Sequence, residues 1–317
     1  MIDGCGRTID YLRISLTPSC DLNCFYCQPQ SRQCSLADVL SPDQIERFVQ
    51  AAVALGVRRV RLTGGEPLLR PDLEEIVARI AAVREISDIS LTTNAQQLEA
   101  RAAGLKQAGL QRINVSLDTL QPERYRRFTG GGDLQRVFSG LRAAEACGLT
   151  PIHLNVVAMK GVNDDEIADL AELTMTHDWD VRFIELMQIG VTRENGRQQL
   201  LSAEQIWHLL GKPEAVSHSV GAGPARYYRL PGARGEVGLI SAVSEHFCGS
   251  CNRIRLTSSG KLRLCLLAEE EIDFWPLLQP SVSPTELSLA LQQAVGQKPL
   301  EQPLVPRATR RMSEIGG

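Results

Sequence analysis

The sequence predicts an α/β protein built as an incomplete (β/α)6 TIM-type barrel over residues 1–220, followed by an α+β domain over residues 221–317. Three observations carry that prediction. Short runs rich in β-branched and apolar residues recur, stretches of helical periodicity alternate with them, and the chemically unusual residues gather at the ends of the runs.

Taken in order, the first strand is expected over residues 11–17 and a helix over 41–55, opened by Ser41-Pro42 as N-cap and first-turn proline. Strands at 57–63, 89–93, 112–117 and 152–158 follow, each succeeded by a helical pattern, at 72–83, 97–108, 134–146 and 164–176. A sixth strand at 181–187 ends the series. Strands alternating with helices form parallel sheets, and six units fall short of the eight of a closed barrel. After about Gly190 the alternation weakens. Gly221-Ala222-Gly223-Pro224 and Pro231-Gly232-Ala233-Arg234-Gly235 read as turns, which sets the boundary nearby. Residues 252–267 read as a hairpin around Ser258-Ser259-Gly260, followed by a helix near 284–295 and a polar tail.

The 317 residues are 43% hydrophobic and 22% charged, a globular composition that excludes disorder for most of the chain. Lys and Arg number 34 against 37 Asp and Glu, a net charge of −3 without the basic excess of a nucleic-acid-binding domain. An anionic ligand must therefore meet a local basic cluster. No apolar run approaches the roughly 18 residues of a membrane span, and the first ten residues carry no signal-peptide core, so a cytoplasmic protein is expected, with neither nucleic acid nor membrane as partner. Nine cysteines are an odd number for a disulfide framework, and in a cytosolic chain they point to metal ligation or catalysis. Six fall in two tight groups; Cys5, Cys34 and Cys147 read as small buried or incidental thiols.

Cys20, Cys24 and Cys27 follow the first strand with the spacing CxxxCxxC. So short a loop brings three thiolates onto three irons of one cubane and leaves the fourth iron without a protein ligand. A zinc site completed by Cys34 is the alternative. The motif, with Tyr26 before its last cysteine and a barrel strand before it, resembles that of the radical S-adenosylmethionine (SAM) superfamily. Thr63-Gly64-Gly65-Glu66-Pro67, ending the second strand, resembles the superfamily's GGEP element: glycine lets the backbone approach a ligand, and Glu66 accepts from an ammonium. Asn94, Ser116 and Met187 end the third, fourth and sixth strands and face the same mouth. The resemblance implies that SAM chelates the open iron through its amino and carboxylate groups. It implies further that one electron from the reduced cluster releases a 5′-deoxyadenosyl radical, with the protein positioning the cofactor.

Cys248, Cys251 and Cys265 form CxxC, then thirteen residues, then Cys. A zinc ribbon would bring a second pair, so two three-cysteine groups favour two 4Fe-4S clusters; a scaffold holding zinc at both remains the alternative from another class. Arg253 and Arg255 share one face of a strand, and two guanidinium forks beside an open cluster suit a polyphosphate or nucleobase. The pattern CNRIRLTxxGKLRxCL and the ending Met312-Ser313-Glu314-Ile315-Gly316-Gly317 complete a set spanning nearly the whole chain. That set resembles the GTP 3′,8-cyclase family of molybdenum cofactor biosynthesis.

What the resemblance implies is specific. The second cluster holds the guanine of GTP, the radical takes the ribose 3′ hydrogen, and the C3′ radical attacks C8 to give (8S)-3′,8-cyclo-7,8-dihydroguanosine 5′-triphosphate. Arg13, Arg61, Thr92, Arg253 and Arg255 match GTP contacts, and His153 takes the place of another. Tyr26, Gly65, Ser116 and Met187 match SAM contacts, and Arg182 lies near the SAM carboxylate or the GTP. Gly316 and Gly317 reach into the active site as catalytic residues, where only glycine leaves space. A reductant such as flavodoxin or ferredoxin, a downstream cyclic pyranopterin monophosphate synthase and a homodimer are the implied partners. Three positions depart from the family pattern. His153 stands where lysine is usual and is a weaker phosphate partner, while Asp21 and Gln28 retune the surroundings of the first cluster. No Walker A sequence supports a P-loop GTPase. Close alternatives are a radical SAM enzyme with an auxiliary cluster acting on another nucleotide or on a peptide.

Overall fold

The computed structural model describes residues 1–28, 34–192, 196–217, 223–301 and 310–315. Six strands, β1 (Tyr11–Ser15), β2 (Arg59–Thr63), β3 (Asp88–Thr93), β4 (Arg112–Ser116), β5 (Ile152–Ala158) and β6 (Trp179–Glu185), lie side by side in chain order, all parallel. The crossovers contain α1 (Pro42–Ala54), α2 (Leu73–Ala81), α3 (Leu98–Gln107), α4 (Pro122–Thr129), α5 (Leu134–Ala146) and α6 (Ile167–Thr176). This is the incomplete (β/α)6 barrel expected from the alternation.

The local causes are legible. Ser41 and Gln44 form a reciprocal capping box at the start of α1, with Pro42 at its first position. Ile45, Phe48, Val49 and Ala52 then recur at helical spacing and are buried. Along β1, Leu12 and Ile14 point to the helices, while Tyr11, Arg13 and Ser15 point inward, because side chains alternate across a strand.

The remainder departs from a plainly separate domain. After α7 (Ala203–Leu209) come β7 (Glu214–Val216), β8 (Arg226–Arg229) and β9 (Val237–Ile240), and β9 pairs parallel with β6. β10 (Arg253–Leu256) pairs parallel with β1, and β11 (Lys261–Arg263) and β12 (Ile272–Asp273) extend the far edge. C-terminal strands thus flank both ends of the barrel in one twelve-stranded sheet. The boundary expected at 220/221 lies outside the described residues. The expected hairpin is β10–β11, with Arg255 opposite Arg263. α8 (Pro284–Gly296) packs on α1 through Leu287, Leu291 and Val295, and α9 (Met312–Ile315) is a last short turn. Among the described residues no helix is long and apolar enough to cross a membrane.

Candidate functional site

One open cavity of about 340 Å³ is lined by all six cysteines of the two groups. The first group sits on the loop after β1, and that loop is pinned by α4. Asn23 N–H donates to the Thr129 carbonyl (2.8 Å), Phe25 N–H donates to the Phe128 carbonyl (3.0 Å), and the two phenyl rings meet edge to face at 5.1 Å. Gly130 ends α4 in a left-handed conformation, and a Cβ there would press on Asn23. Burial pushes the Cys20 thiol up to about 12 and Cys27 to about 11, and Cys24 also rises well above its ordinary value. Metal binding must therefore displace protons from this triad.

The Gly64-Gly65 turn after β2 abuts the same loop. A Cβ on Gly65 would lie 2.1 Å from the Ser19 carbonyl oxygen, and one on Gly64, where φ is 151°, 2.6 Å from that of Thr17. The glycines thus let two loops touch. Glu66 lines the cavity but is 1% exposed. Its Oε1 accepts from Leu68 N–H (2.9 Å) and the Thr93 hydroxyl (2.7 Å), and its Oε2 accepts from Asn94 N–H (2.7 Å). The carboxylate expected to receive an ammonium is thus already holding the β2 loop to the end of β3. Burial, opposed by those hydrogen bonds, places it at about 7. Asn94 donates from Nδ2 to Asp21 (2.7 Å) and, at 3.9 Å, to the Cys20 sulfur, so the unusual Asp21 is tied to the triad through Asn94.

Between the cysteine groups runs a row of arginines. Sheet register sets Arg13 beside Arg255 on one side and Arg61 on the other. All three line the cavity, Arg61 and Arg255 buried and Arg13 half-buried. Desolvation and neighbouring guanidinium groups push Arg13 well below its ordinary value; burial lowers Arg61 to about 10, and burial with Arg253 lowers Arg255 to about 9. Among the described residues neither Arg13 nor Arg61 has a carboxylate partner, and Arg13 Nε makes no hydrogen bond. Arg182 donates to the Tyr227 hydroxyl (2.7 Å) and to Asn114 Oδ1 (3.1 Å). Such a charge excess, facing one cavity, is a site for an anion.

The second triad lies toward the other end of the lumen. Cys248 and Cys251 precede β10, whose Arg253 pairs with Tyr11 at the start of β1, whereas Cys20 follows the end of β1. The strand length between those levels is roughly 13 Å at about 3.3 Å per residue. Burial alone would raise the Cys251 thiol, but Lys298 and Arg253 bring it down to about 7. Among the described residues no three His, Cys, Asp or Glu side chains are gathered to the spacing of a single bound ion.

Of the residues singled out from sequence, Tyr26, Gly64, Gly65, Glu66, Thr92, Asn94, Ser116, Arg182, Met187, Arg13, Arg61, Arg253 and Arg255 line the cavity with the cysteines. His153 does not. It is fully buried, with Nε2 3.1 Å from Asp180 Oδ2 on the neighbouring strand. Gly316 and Gly317 lie outside the described residues. The turn before them touches both triads: Arg311 donates to the Gln28 carbonyl (2.6 Å), and Ile315 is buried against Ile189 and Leu267, beside Cys265. Cys5 is exposed, Cys34 and Cys147 are half-buried, and none lines the cavity.

Sequence reasoning missed several lining residues. Asp118, two residues beyond Ser116, accepts from the Tyr26 hydroxyl (2.6 Å) and Val157 N–H (2.8 Å), and burial raises it to about 6. Glu185 accepts from Ala203, Val243 and Ser244 N–H groups at 2.7–2.8 Å, fastening the loops beyond β6. Asp118 was within reach as a carboxylate ending a strand; Glu185 and Lys298 carry no local signal.

The Radical SAM superfamily pattern matches residues 14–174, and the Molybdenum Cofactor Synthesis C pattern matches residues 179–303. The GTP 3′,8-cyclase of Alkaliphilus oremlandii (strain OhILAs) is 44% identical over 323 residues, covering 100% of both chains. That of Heliobacterium modesticaldum (strain ATCC 51547 / Ice1) is 46% identical over 331 residues, again covering 100% of both. Among solved structures, Streptococcus suis SuiB bound to precursor peptide SuiA shares the fold with a TM-score of 0.65 at 14% identity, over 92% of this chain and 67% of that one.

Proposed function

The chain belongs to the GTP 3′,8-cyclase family of radical SAM enzymes, and on that premise we propose which of its residues carry out the cyclisation of GTP in molybdenum cofactor biosynthesis. Cys20, Cys24 and Cys27 hold a 4Fe-4S cluster whose fourth iron is left for SAM. Their fit rests on three soft thiols in one short loop, lining a cavity with space beside them. When bound, cluster and SAM together supply the 5′-deoxyadenosyl radical that removes the 3′ hydrogen of GTP. The chain's own part is placement. Gly64 and Gly65 bring their turn against the first cysteine loop beside the cofactor, Glu66 and Asn94 fix that turn, and Tyr26, Ser116, Arg182 and Met187 close around SAM.

Cys248, Cys251 and Cys265 hold the second 4Fe-4S cluster, and support for it comes from the same count of three thiols at the far end of the same cavity. Arg13, Arg61, Arg253 and Arg255, with Thr92, bind GTP between the two clusters. The observation that carries this reading is the register row Arg255–Arg13–Arg61 along the cavity, whose charge calls for a polyphosphate. His153, paired with Asp180 off the cavity, supports the lumen floor rather than touching phosphate. Gly316 and Gly317 complete the site from the turn at Ile315.

The electron comes from a reductant such as flavodoxin or ferredoxin, the product passes to cyclic pyranopterin monophosphate synthase, and the enzyme works in the cytoplasm as a homodimer. The reading is tested by the formation of 5′-deoxyadenosine in anaerobically reconstituted, reduced protein with SAM. GTP-dependent formation is expected. Slow cleavage indifferent to GTP would leave the radical chemistry in place and overturn the assignment of the arginine row to GTP.

A further inference from the structure

Lys298 lies just beyond α8, is 4% exposed and lines the cavity, yet sequence reasoning gives it no role. Its ammonium donates to the Leu264 carbonyl, one residue before Cys265, and lies close enough to the Cys251 and Cys265 thiols to interact electrostatically with both. Its main chain is held as firmly. Lys298 N–H donates to the Val295 carbonyl (3.0 Å), and Arg7 fans across the carbonyls that follow, to Pro299 (2.6 Å) and Leu300 (2.9 Å). The same guanidinium reaches the Cys248 carbonyl (2.8 Å), and Asp3 holds it from behind at 2.7 Å. One clamp from the N-terminus therefore fixes the loop of Cys248 and the backbone of Lys298 together.

Burying an ammonium is unfavourable unless it is compensated, and an apolar side chain would pack the position at lower cost. A position that keeps this charge against two cysteines of one triad uses it there. Hydrogen bonds to cluster sulfurs and nearby positive charge set iron-sulfur potentials, and such supporting contacts also orient the ligands. We propose that Lys298, seated by the Asp3–Arg7 clamp, is a positioning residue of the second cluster: it sets the spacing of Cys251 and Cys265 and raises that cluster's reduction potential. This rests on the reading of the second triad as a 4Fe-4S site.

The test begins with iron and acid-labile sulfide in the reconstituted full-length protein. About eight irons in the wild type and about four in Cys265→Ala support the cluster reading, whereas about four in both overturn that reading and the role of Lys298 with it. With eight in hand, EPR-monitored redox titration of Lys298→Gln and Lys298→Met addresses Lys298 alone. The second midpoint is expected to fall in the order wild type, Gln, Met while the first stays in place, and cluster retention under a chelator is expected to fall about tenfold in Met. An unmoved second midpoint in both variants overturns the proposal. Should Met fail to assemble, Lys298→Arg is compared with Gln: a midpoint near wild type for Arg and lower for Gln supports the role, and equal values overturn it.

Discussion

Arg61→Met is expected to make the ligand-free holoenzyme more stable and its nucleotide complex less so. Burial, offset in part by Tyr11 and reinforced by Arg112 and Arg182, lowers the Arg61 guanidinium to about 10. The gap to an ordinary arginine is worth about 3 kcal/mol at about 1.4 kcal/mol per pH unit. Because the folded value lies below the unfolded one, the folded chain holds this proton less tightly; the cost is complete at neutral pH and is relieved only as pH rises through about 10. Methionine removes the charge and gives up the contact with the Tyr11 ring at 5.4 Å, itself about 1 kcal/mol, which leaves a net gain of about 2 kcal/mol. On the ligand side, losing a charged hydrogen bond to phosphate weakens GTP about 100-fold. At GTP equal to about 100 times the wild-type Kd, the ligand stabilises the wild type by about 2.7 kcal/mol and the variant by about 0.4 kcal/mol. Anaerobic denaturant unfolding without reductant, with and without GTP, reads both quantities. A variant less stable than wild type without ligand, yet gaining as much from GTP, would refute the reading of Arg61 as charge held in wait for phosphate.

Glu66→Gln turns an amide toward three donors, from Leu68, Thr93 and Asn94, and is expected to lose about 1–3 kcal/mol of stability, seen as a lower thermal midpoint. An unchanged midpoint would mean that the carboxylate does not hold the loop. Asp118 is raised to about 6 by burial, so its ionisation costs stability that is absent below the ordinary carboxylate range and complete above about pH 6. Asp118→Asn should therefore gain about 1.4 kcal/mol relative to wild type between pH 5 and pH 7.5 in paired denaturant titrations, and parallel curves would contradict this. Removal of Gly316 and Gly317 should leave iron content and GTP binding intact while abolishing the cyclised product; full turnover in the shortened chain would end their assignment as catalytic.

The alternation of strand and helix gave the barrel because each parallel strand is buried on both faces and each crossover helix shows one apolar stripe. The expected strand at 152–158 coincides with β5, whereas the expected 181–187 starts late, because Trp179 and Asp180 already pair with Ile152 and His153. α4 escaped notice because Pro122–Thr129 is only eight residues long, half of them charged, with an inner face of just Tyr125, Phe128 and Thr129. Its job, to brace the first cysteine loop, is a contact across the fold. The same limit hid β10 as the neighbour of β1 and Asp180 as the partner of His153: register between distant segments leaves no periodic trace in either. Motifs survive this limit only where the ligand set is contiguous, as in the two cysteine groups.

A barrel lumen is ordinarily filled by layers of branched aliphatic side chains. Here the inward positions of β1, β2, β4, β6 and β10 are Arg13, Arg61, Asn114, Arg182 and Arg255. Part of that polarity is balanced: Arg112 pairs with Asp88, His153 with Asp180, and Arg182 with Tyr227 and Asn114. Arg112 continues the register row through Ser90 and is held by Asp88, whereas Arg13 and Arg61 meet no carboxylate among the described residues. The fold's stability must then reside in the outer layer, where Leu12, Ile14, Val60, Leu62 and Leu91 meet the helices at essentially no exposure. That division explains how β10 can serve at once as structure and as site. Its outward Ile254 and Leu256 join the core, while its inward Arg253 and Arg255 enter the lumen between the triads. Adding this strand beside β1 extends the core by two side chains and brings a second cysteine group to the far end of the lumen, so that one cavity serves both triads.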